Sequence, residues 1–413
     1  MLYLYRTLWI LLAPVVDIWF LARLYKGKED KKRFMERLGG YKQQRPTGKL
    51  VWFHAASVGE SLSILPLIEQ LLNNHKELNV LVTTGTVTSA SLMQKRLPKG
   101  AIHQYVPIDF YFAVKSFMEH WQPNLSVFVE SELWPELISQ APNPIIINGR
   151  MSNRSAKRYA KHKNLTGFLF NRIQLILAQS EDSYENFKQV CDTPVENSGN
   201  LKFDAPTATF DQESMDKISQ ILETRKILVC ASTHQGEEEV MAALHEKMKK
   251  EIPELITIIA PRHPNRGKSI QNTLKTKGFN CTLRSEGEAP ENIYIADTLG
   301  EMGLWYNLAH VVLMGKSLFS GGGQTPFEPL KCGRVTVCGP SMENFKEMMH
   351  IFKEREIILQ SENMADIEKD LVYFLKNDKQ RTLAEKKIRE KMQNLGGATA
   401  ETLNRIEDFL SSI

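Results

Sequence analysis

Short apolar runs recur along most of the chain and alternate with segments whose apolar residues follow a helical period. Each run has the length of a buried strand, and several are rich in β-branched residues. The runs form two series: LVWFHAA, NVLVTTG, AIHQYVPI, LSVFVES, PIIINGR and IQLILAQS, then KILVCAS, LITIIAPR, FNCTLRS, NIYIADT, AHVVLMGKS and RVTVCGPS. Strands that alternate with helices are typical of parallel sheets covered on both faces. The pattern therefore predicts an α/β protein with two Rossmann-like, doubly wound domains.

A polar stretch with helix-disfavouring residues begins at Asp204 and separates the two series. We interpret residues 205–222 as an interdomain linker. The first Rossmann-like domain is then expected over residues 26–204, and the second over residues 223–380. Residues 381–413 are charged with a helical period, which predicts a C-terminal helical tail.

The first 25 residues are mostly apolar, and about 20 apolar residues suffice for a helix to span a bilayer. Lysines and arginines follow densely, which by the positive-inside rule keeps the rest of the chain in the cytoplasm. Arg6 and Asp17 interrupt the segment on one side of a helix, and an acid near the middle of a span is unfavourable. We predict a membrane-anchor helix over residues 1–25 that meets an anionic membrane surface. A spanning helix, an in-plane helix and the first core helix of a soluble domain stay open as alternatives.

Composition, charge and missing motifs exclude several classes of function. The 413 residues include 42% hydrophobic and 24% charged side chains, and the net charge of +4 is too balanced to favour a nucleic-acid partner. The five cysteines lack C-x-x-C spacing, and the ten histidines form neither HExxH nor a cluster, so a disulfide framework and a metal site are disfavoured. The chain also lacks a P-loop, a GxGxxG motif with a downstream acid, and a G-x-S-x-G elbow. NTP hydrolysis, dinucleotide redox chemistry and a serine triad are therefore disfavoured.

The ends of the predicted strands hold most of the candidate chemistry, because small residues there admit a ligand and helix N-termini bind anions. In the first series Glu60, Glu130 and Glu132 follow strands, and a partly buried carboxylate suits a general base. The helix dipole alone also favours a glutamate in a first turn. In the second series Arg262 is suited to bind a phosphate and Glu328 to accept the hydroxyls of a ribose. Their alternatives are a surface salt bridge and a capping carboxylate.

Eight motifs occur in a characteristic order: HAASVGE, ESELWPE, NGRMS, GNLKFD, ASTHQGEEE, PRHPNR, DTLGEM and GGGQTPFEP. Together they resemble the 3-deoxy-D-manno-octulosonic acid (Kdo) transferases of lipopolysaccharide synthesis, which are GT-B glycosyltransferases. The resemblance covers nearly the whole chain, from the N-terminal apolar segment to beyond GPSMENF.

The resemblance implies a GT-B fold with two Rossmann-like domains facing a central cleft. It also implies an inverting transfer of Kdo from CMP-Kdo to a lipid A precursor (lipid IVA) at the inner membrane. Glu60 corresponds to the catalytic base of the family, and Glu130 and Lys202 correspond to its proposed transition-state stabilisers. The CMP-contacting segments correspond to Pro261, Arg262, Leu299, Gly300, Glu301, Thr325, Pro326, Phe327 and Glu328. No metal cofactor is implied, because basic side chains and helix N-termini can neutralise a leaving monophosphate.

The chain departs from the family pattern at three places. Gln324 and Thr325 stand where His and Asn are usual, NGRMS stands for NARLS, and Glu136 replaces the usual Asn after ELWP. Two other functions stay open. A GT-B-like sugar-nucleotide epimerase would need neither a lipid acceptor nor an anchor, and a degenerate, membrane-tethered glycolipid-binding protein would need no catalysis.

Overall fold

The computed structural model describes residues 2–205 and 207–412, apart from the side chains of Ala13, Asp17, Leu21 and residues 163–165. The predicted shared helix side of Arg6 and Asp17 therefore lies outside the described residues. The chain divides into two compact units. The first unit comprises the residues up to Ala205 together with those from Leu395 onward, and the second comprises the residues between them.

The first unit is built around a seven-stranded parallel sheet. Its strands are β1 (Leu50–His54), β2 (Asn79–Thr84), β3 (Ala101–Tyr105), β4 (Leu125–Val129), β5 (Pro144–Gly149), β6 (Leu175–Ala178) and β7 (Val195–Asn197). Its first helices are α1 (Leu2–Tyr25), α2 (Val58–Ser63), α3 (Leu65–Asn74), α4 (Val87–Arg96), α5 (Tyr111–Trp121), α6 (Pro135–Gln140), α7 (Asn153–Lys161), α8 (Lys163–Phe170) and α9 (Glu181–Val190). Short 3₁₀ turns cover Phe34–Leu38 and Leu201–Asp204.

Both faces of the first sheet are buried. All of β1 is inaccessible to solvent, and its alternate side chains enter different cores, Val51 and Phe53 on one face and Leu50 and Trp52 on the other. This explains why its strands read as continuous apolar runs. The strand order is β3-β2-β1-β4-β5-β6-β7, so the order reverses between β1 and β4. In open parallel sheets, the carboxyl ends of the strands at such a switch point form the ligand crevice.

The second unit has the same architecture. Its strands are β8 (Lys226–Thr233), β9 (Leu255–Pro261), β10 (Cys281–Leu283), β11 (Ile293–Ile295), β12 (Val311–Met314), β13 (Val335–Cys338) and β14 (Leu359–Gln360). Its helices are α10 (Gln212–Ile221), α11 (Glu237–Lys249), α12 (Gly267–Thr276), α13 (Met302–Leu308), α14 (Phe327–Lys331), α15 (Lys346–Glu354), α16 (Met364–Lys376) and α17 (Asp378–Gln393), and 3₁₀ turns cover Pro264–Arg266, Arg284–Glu286 and Glu343–Phe345. The parallel order β10-β11-β9-β8-β12-β13-β14 has its switch point between β8 and β12.

All twelve predicted apolar runs form strands, and the two-sheet α/β fold is confirmed. The edge strands β7 and β14 were not predicted. They are short and incompletely buried, so no apolar run indicates them. Residues 205–222 contain helix α10 rather than only a linker. The carboxylate of Asp211 accepts the Ser214 amide at 2.8 Å and caps that helix, which offsets the unfavourable composition.

The C-terminal residues do not form a single tail over 381–413. Helix α17 belongs to the second unit, whereas the last helix, α18 (Ala398–Ser412), packs against α3 in the first. Leu403, Ile406 and Leu410 of α18 join one core of the first sheet. The end of the chain therefore completes the first unit, which a sequence pattern alone does not indicate.

Helix α1 contacts the first unit through polar groups. The Tyr5 hydroxyl donates to Asp109 at 2.6 Å, and the Arg6 guanidinium donates to both carboxylate oxygens of Glu136, at 3.0 and 2.7 Å. Glu136, which replaces the usual Asn after ELWP, is fully buried and is the ion-pair partner of Arg6 on this helix. Apolar side chains remain exposed elsewhere on α1: Leu4, Leu8, Ile10, Leu11, Val15, Ile18 and Trp19.

Within the described residues, no single helix has both the length and the apolarity needed to cross a membrane. The two parts of α1, Leu2–Leu12 and Pro14–Tyr25, meet those requirements only as a pair bent by 55°. Pro14 begins the second part, and a proline removes a helical hydrogen bond and kinks the helix. The membrane anchor therefore stays a prediction.

Candidate active site

Glu60 lies in the first turn of α2, directly after the switch-point strand β1. Its carboxylate is buried and accepts the Ala56 amide at 2.8 Å and the Ser57 hydroxyl at 2.6 Å. Burial raises the pKa of Glu60, and the charges of Glu130 and Glu132 act in the same direction against the opposing hydrogen bond from Ser57. A carboxyl whose pKa lies above its usual range is better matched to proton transfer near neutral pH.

Glu130 directly follows β4, the other strand at the switch point, and has a left-handed backbone with φ of 60°. This conformation is uncommon for a residue with a side chain. The Lys202 ammonium donates to the Glu130 carboxylate at 2.6 Å, although the two residues are 72 positions apart. Asn148, also left-handed and fully buried, accepts the Leu201 amide at 3.0 Å and so fixes the turn that holds Lys202. The Asn148 side-chain nitrogen has no hydrogen-bond partner among the described residues.

Glu132 contributes the third carboxylate of the cluster, and its contacts differ from those of Glu60 and Glu130. His54, at the end of β1, approaches it with 3.5 Å between Nε2 and the carboxylate, and the Trp134 indole donates to the same carboxylate. Burial acts to raise the pKa of Glu132, but hydrogen bonds and the charge of His54 outweigh it and lower that pKa overall. Two neighbouring carboxylates with opposite pKa shifts are typical of sites that divide proton transfer from charge stabilisation.

The first unit therefore brings together Glu60, Glu130 and Lys202, the residues that the resemblance had assigned to catalysis. His54 was not singled out from the sequence. The sequence points to His54 only through its position in HAASVGE, the motif that also contains Glu60. The partners of His54, Glu132 and Thr83, lie near the ends of other strands, so the sequence alone does not indicate these contacts.

The second unit holds all residues predicted to contact CMP. Pro261 ends β9, and Arg262 follows with its amide bonded to the Thr233 carbonyl at the end of β8. The Arg262 side chain is exposed and forms no ion pair with another described residue. Glu328 lies in the first turn of α14. Desolvation raises the pKa of its carboxyl, and the positive charge of Arg262 opposes that shift, so the two side chains share one region of the unit.

The three residues from Leu299 to Glu301 have different environments. Leu299 is 85% exposed, and Gly300 takes a left-handed turn with φ of 84°. The Glu301 carboxylate accepts hydrogen bonds from the Arg284 Nε at 3.1 Å and from one terminal nitrogen of the same guanidinium at 2.7 Å. It also accepts the Thr298 hydroxyl. Burial acts to raise the pKa of Glu301, but these hydrogen bonds outweigh it and lower that pKa. The Glu301 carboxylate thus serves to fix the turn that presents Leu299.

The residues that replace the usual His and Asn of the family are both hydrogen bonded. Burial lowers the pKa of His234, so its neutral ring can accept the Gln324 amide, whose nitrogen lies 3.1 Å from Nε2. The Thr325 hydroxyl accepts the Phe327 amide at 3.3 Å. Pro326 lies just before α14 as its capping residue. Polar hydrogen-bonding groups are therefore retained at both substituted positions.

Comparison with solved structures defines the class of protein. The chain is similar to UDP-GlcNAc 2-epimerase from Neisseria meningitidis bound to UDP-GlcNAc, with a TM-score of 0.56 over 89% of this chain and all of that chain. The sequences are 14% identical, so the similarity establishes a shared two-domain α/β fold and no common activity.

Comparison of sequences identifies the family. Residues 32–205 match the family model described as 3-Deoxy-D-manno-octulosonic-acid transferase (kdotransferase). The chain is 32% identical to 3-deoxy-D-manno-octulosonic acid transferase of Rickettsia bellii over 93% of both chains. It is 31% identical to the Haemophilus influenzae protein of that name over 99% of this chain and 98% of the other. The chain belongs to the 3-deoxy-D-manno-octulosonic acid transferase family and is a glycosyltransferase.

Proposed function

We propose that the chain transfers Kdo from CMP-Kdo to a hydroxyl of lipid IVA, with inversion at the anomeric carbon and release of CMP. The observation that carries this proposal is the cluster at the switch point of the first sheet. There Glu60, with its raised pKa, lies beside the Glu130–Lys202 pair.

Glu60 is assigned the role of general base. It accepts the proton of the acceptor hydroxyl while the oxygen of that hydroxyl bonds to the anomeric carbon of Kdo. The bond from that carbon to the phosphate oxygen of CMP breaks, and CMP retains the electron pair. A raised pKa makes the carboxylate a stronger base than an ordinary glutamate. The contacts from Ala56 and Ser57 hold its oxygens in position before the acceptor binds.

Glu130 and Lys202 are assigned to charge stabilisation. The sugar acquires oxocarbenium character as the donor bond breaks, as in glycosidases, and a fixed carboxylate stabilises that positive charge. The Lys202 ammonium is held by Glu130 and is suited to attract an anionic part of the donor. The strained φ of Glu130 is consistent with a backbone held for function.

The CMP part of the donor is assigned to the second unit. Arg262, whose guanidinium is free of ion pairs with described residues, is suited to the phosphate, and Glu328 to the ribose hydroxyls. Leu299, Gly300, Thr325, Pro326 and Phe327 would provide the surrounding surface. We propose no resident metal, because Arg262 and Lys202 provide positive charge for a monophosphate leaving group.

Attachment to the cytoplasmic side of the inner membrane completes the proposal. The exposed apolar side chains of α1 and the exposed lysines at positions 26, 28, 31 and 32 support it. Apolar groups enter the interface of a bilayer, and lysines are attracted to anionic headgroups.

The test is mass spectrometry of a tetraacylated lipid A precursor after incubation with the protein and CMP-Kdo. Each transferred sugar adds one discrete mass step. Glu60→Gln should retain donor binding and lose nearly all product, whereas Glu69→Gln, which changes an exposed glutamate on α3, should match the wild type. Absence of product from the wild-type protein, or normal turnover by Glu60→Gln, would contradict the proposal. Conversion of a nucleotide sugar without any acceptor would instead support an epimerase.

A further inference from the structure

A cavity of about 440 Å³ lies between helix α1 and the body of the first unit. Two ion pairs fasten the helix. Arg6 binds Glu136 near its beginning and Arg23 binds Glu29 near its end, each at 2.7 Å, and Glu29 is bound in turn by Arg37 at 3.3 Å. The part of α1 between these ion pairs forms one wall of the cavity. The cavity is thus enclosed by a helix that is held at both ends.

The cavity is lined mainly by apolar side chains. Helix α1 contributes Trp9, Val16 and Phe20, and the chain after β3 contributes Val106 and Ile108. Its volume falls within the roughly 300–1,000 Å³ of pockets that enclose small ligands. The lining also contains charged side chains, but those such as Arg37 and Asp109 already form hydrogen bonds within the protein. The cavity therefore offers water few free polar partners, and a hydrocarbon is the better occupant.

The cavity also reaches the carboxylate cluster. His54, Ala56 and Glu132 belong to its lining. The Ala56 amide donates to the Glu60 carboxylate at 2.8 Å, so the lining is one hydrogen bond away from the proposed base. A molecule with a hydrocarbon part in the cavity can therefore have its polar part beside Glu60.

The other connection of the cavity is to the exposed face of α1. Val15 and Trp19 line the cavity and are also 62% and 53% exposed. They adjoin the exposed apolar residues Ile10, Leu11 and Ile18, so a hydrocarbon chain can enter from an apolar surface without crossing water. The exposed lysines at positions 26, 28, 31 and 32 follow α1 directly and complement an anionic headgroup.

We propose that this cavity binds one fatty acyl chain of the acceptor glycolipid and thereby holds the sugar of the acceptor at Glu60. The inference rests on the proposed function, from which it takes an acylated acceptor. Binding a chain here deepens that function, because recognition of the acceptor then depends on its lipid as well as on its sugar. A second copy of the chain or a polar ligand would leave the apolar lining near the carboxylates unexplained.

The test compares two substitutions on the same helix, Val16→Trp and Ile18→Trp. Val16 lines the cavity, whereas Ile18 is exposed and does not line it. Both variants introduce an indole ring, but only Val16→Trp places it in the cavity. The measured quantity is the ratio of kcat/KM for the acylated acceptor to that for the deacylated disaccharide, in mixed micelles of fixed composition. Each methylene excluded from an apolar site costs about fourfold in binding. Val16→Trp should therefore lower the ratio at least about tenfold, and Ile18→Trp should leave it unchanged.

The outcomes separate this inference from the function on which it rests. Equal ratios for the two variants, or a wild-type ratio near one, would overturn the acyl-chain site while Kdo transfer stands. Transfer to neither acceptor by the wild-type protein would overturn the proposed function itself.

A second measurement uses the unaltered protein and so does not depend on folding of a variant. An acceptor analogue with a diazirine at the end of one acyl chain is photolysed on the wild-type protein, and the labelled peptides are identified. Label on Val106, on Ile108 or on Trp9, Val16 or Phe20 of α1 is expected, because these residues line the cavity. Label confined to the exposed residues Ile10, Leu11 and Ile18 would show only contact with the micelle and would overturn the site.

Discussion

Each unit places a glutamate at the same point of its sheet, in the first turn of the helix that follows a switch-point strand. In the first unit this residue is Glu60 after β1, and in the second it is Glu237 after β8. Both are buried. The Glu237 carboxylate accepts three backbone amides, from His234 at 2.9 Å, Lys316 at 2.6 Å and Leu318 at 3.2 Å. It therefore ties the end of β8 to the loop after β12.

Glu60 has fewer and different partners. One backbone amide and one hydroxyl contact its carboxylate, and its charged neighbours include Glu130 and Glu132. Burial and neighbouring carboxylates raise the pKa of a carboxyl group and so make it more ready to accept a proton, whereas a carboxylate that accepts several backbone amides holds a loop in place. The topology supplies the position of both glutamates, and their different hydrogen-bond partners distinguish the proposed base from a carboxylate that holds a loop.

The largest expected effect separates these two glutamates by activity. Glu60→Gln removes the proposed base and should lower kcat for Kdo transfer by about 10²- to 10⁴-fold, the usual contribution of general-base catalysis. Glu237→Gln should retain kcat per folded molecule, because its carboxylate contacts only backbone amides. The measurement is initial transfer rate on purified, folded protein. Comparable losses in both variants would remove the distinction.

A smaller loss is expected from Lys202→Met, which keeps most of the side-chain length and removes the charge. It leaves Glu130 without the ammonium that now lies at 2.6 Å, and rate losses of about 10²- to 10³-fold follow removal of one transition-state donor. Lys188→Met changes an exposed lysine on α9 and serves as the control. A kcat within twofold of the wild type would remove Lys202 from the proposed mechanism.

The pH dependence of kcat/KM tests whether Glu60 is the base. The base acts when deprotonated, so kcat/KM should fall as the pH falls through the pKa of Glu60, which lies above the usual value of a glutamate. The negative charge of Glu132 contributes to that elevation. Glu132→Gln should therefore lower the pKa of Glu60 and move the acid limb to lower pH. The pH profiles of wild type, Glu132→Gln and Glu69→Gln test this, and an unmoved or raised limb would contradict it.

The smallest effect concerns stability rather than turnover. In Glu237→Gln, an NH2 group that cannot accept replaces one of the two carboxylate oxygens, both of which bind backbone amides, so at least one buried backbone donor loses its partner. Such a loss costs about 1–3 kcal/mol, and each kcal/mol lowers Tm by roughly 2–4 °C in a domain of this size. Thermal unfolding measures this loss, and Glu69→Gln, which changes an exposed glutamate on α3, is the control. An unchanged Tm would show that the three amide contacts contribute little.

The sequence indicated all strands of the two sheets except one short edge strand in each, β7 and β14. Buried strands read as apolar runs because both faces of each sheet are covered, so the interior strands could be predicted. The short strands β7 and β14 have no such signal, and α18 gives no local sign that it packs in the first unit. Its partners lie hundreds of positions earlier, beyond the reach of any periodicity.

The candidate site shows the same division. Glu60, Glu130 and Lys202 could be named from motifs, but their proximity could not, because it depends on the parallel order of β1 and β4 and on the turn fixed by Asn148. His54 and the cavity beneath α1 were not predicted, since they depend on residues from several strand ends and on where the helix docks.

The sequence by itself determined the α/β class, the positions of the strand-end turns and the glycosyltransferase family, because these follow from local periodicity and from motifs a few residues long. Only the tertiary structure decided which of the two glutamates is saturated by backbone amides, in which direction the pKa of Glu60 moves, and where an apolar cavity meets the carboxylates. Those properties arise from burial and from charges brought together across long stretches of chain, and no segment contains them alone.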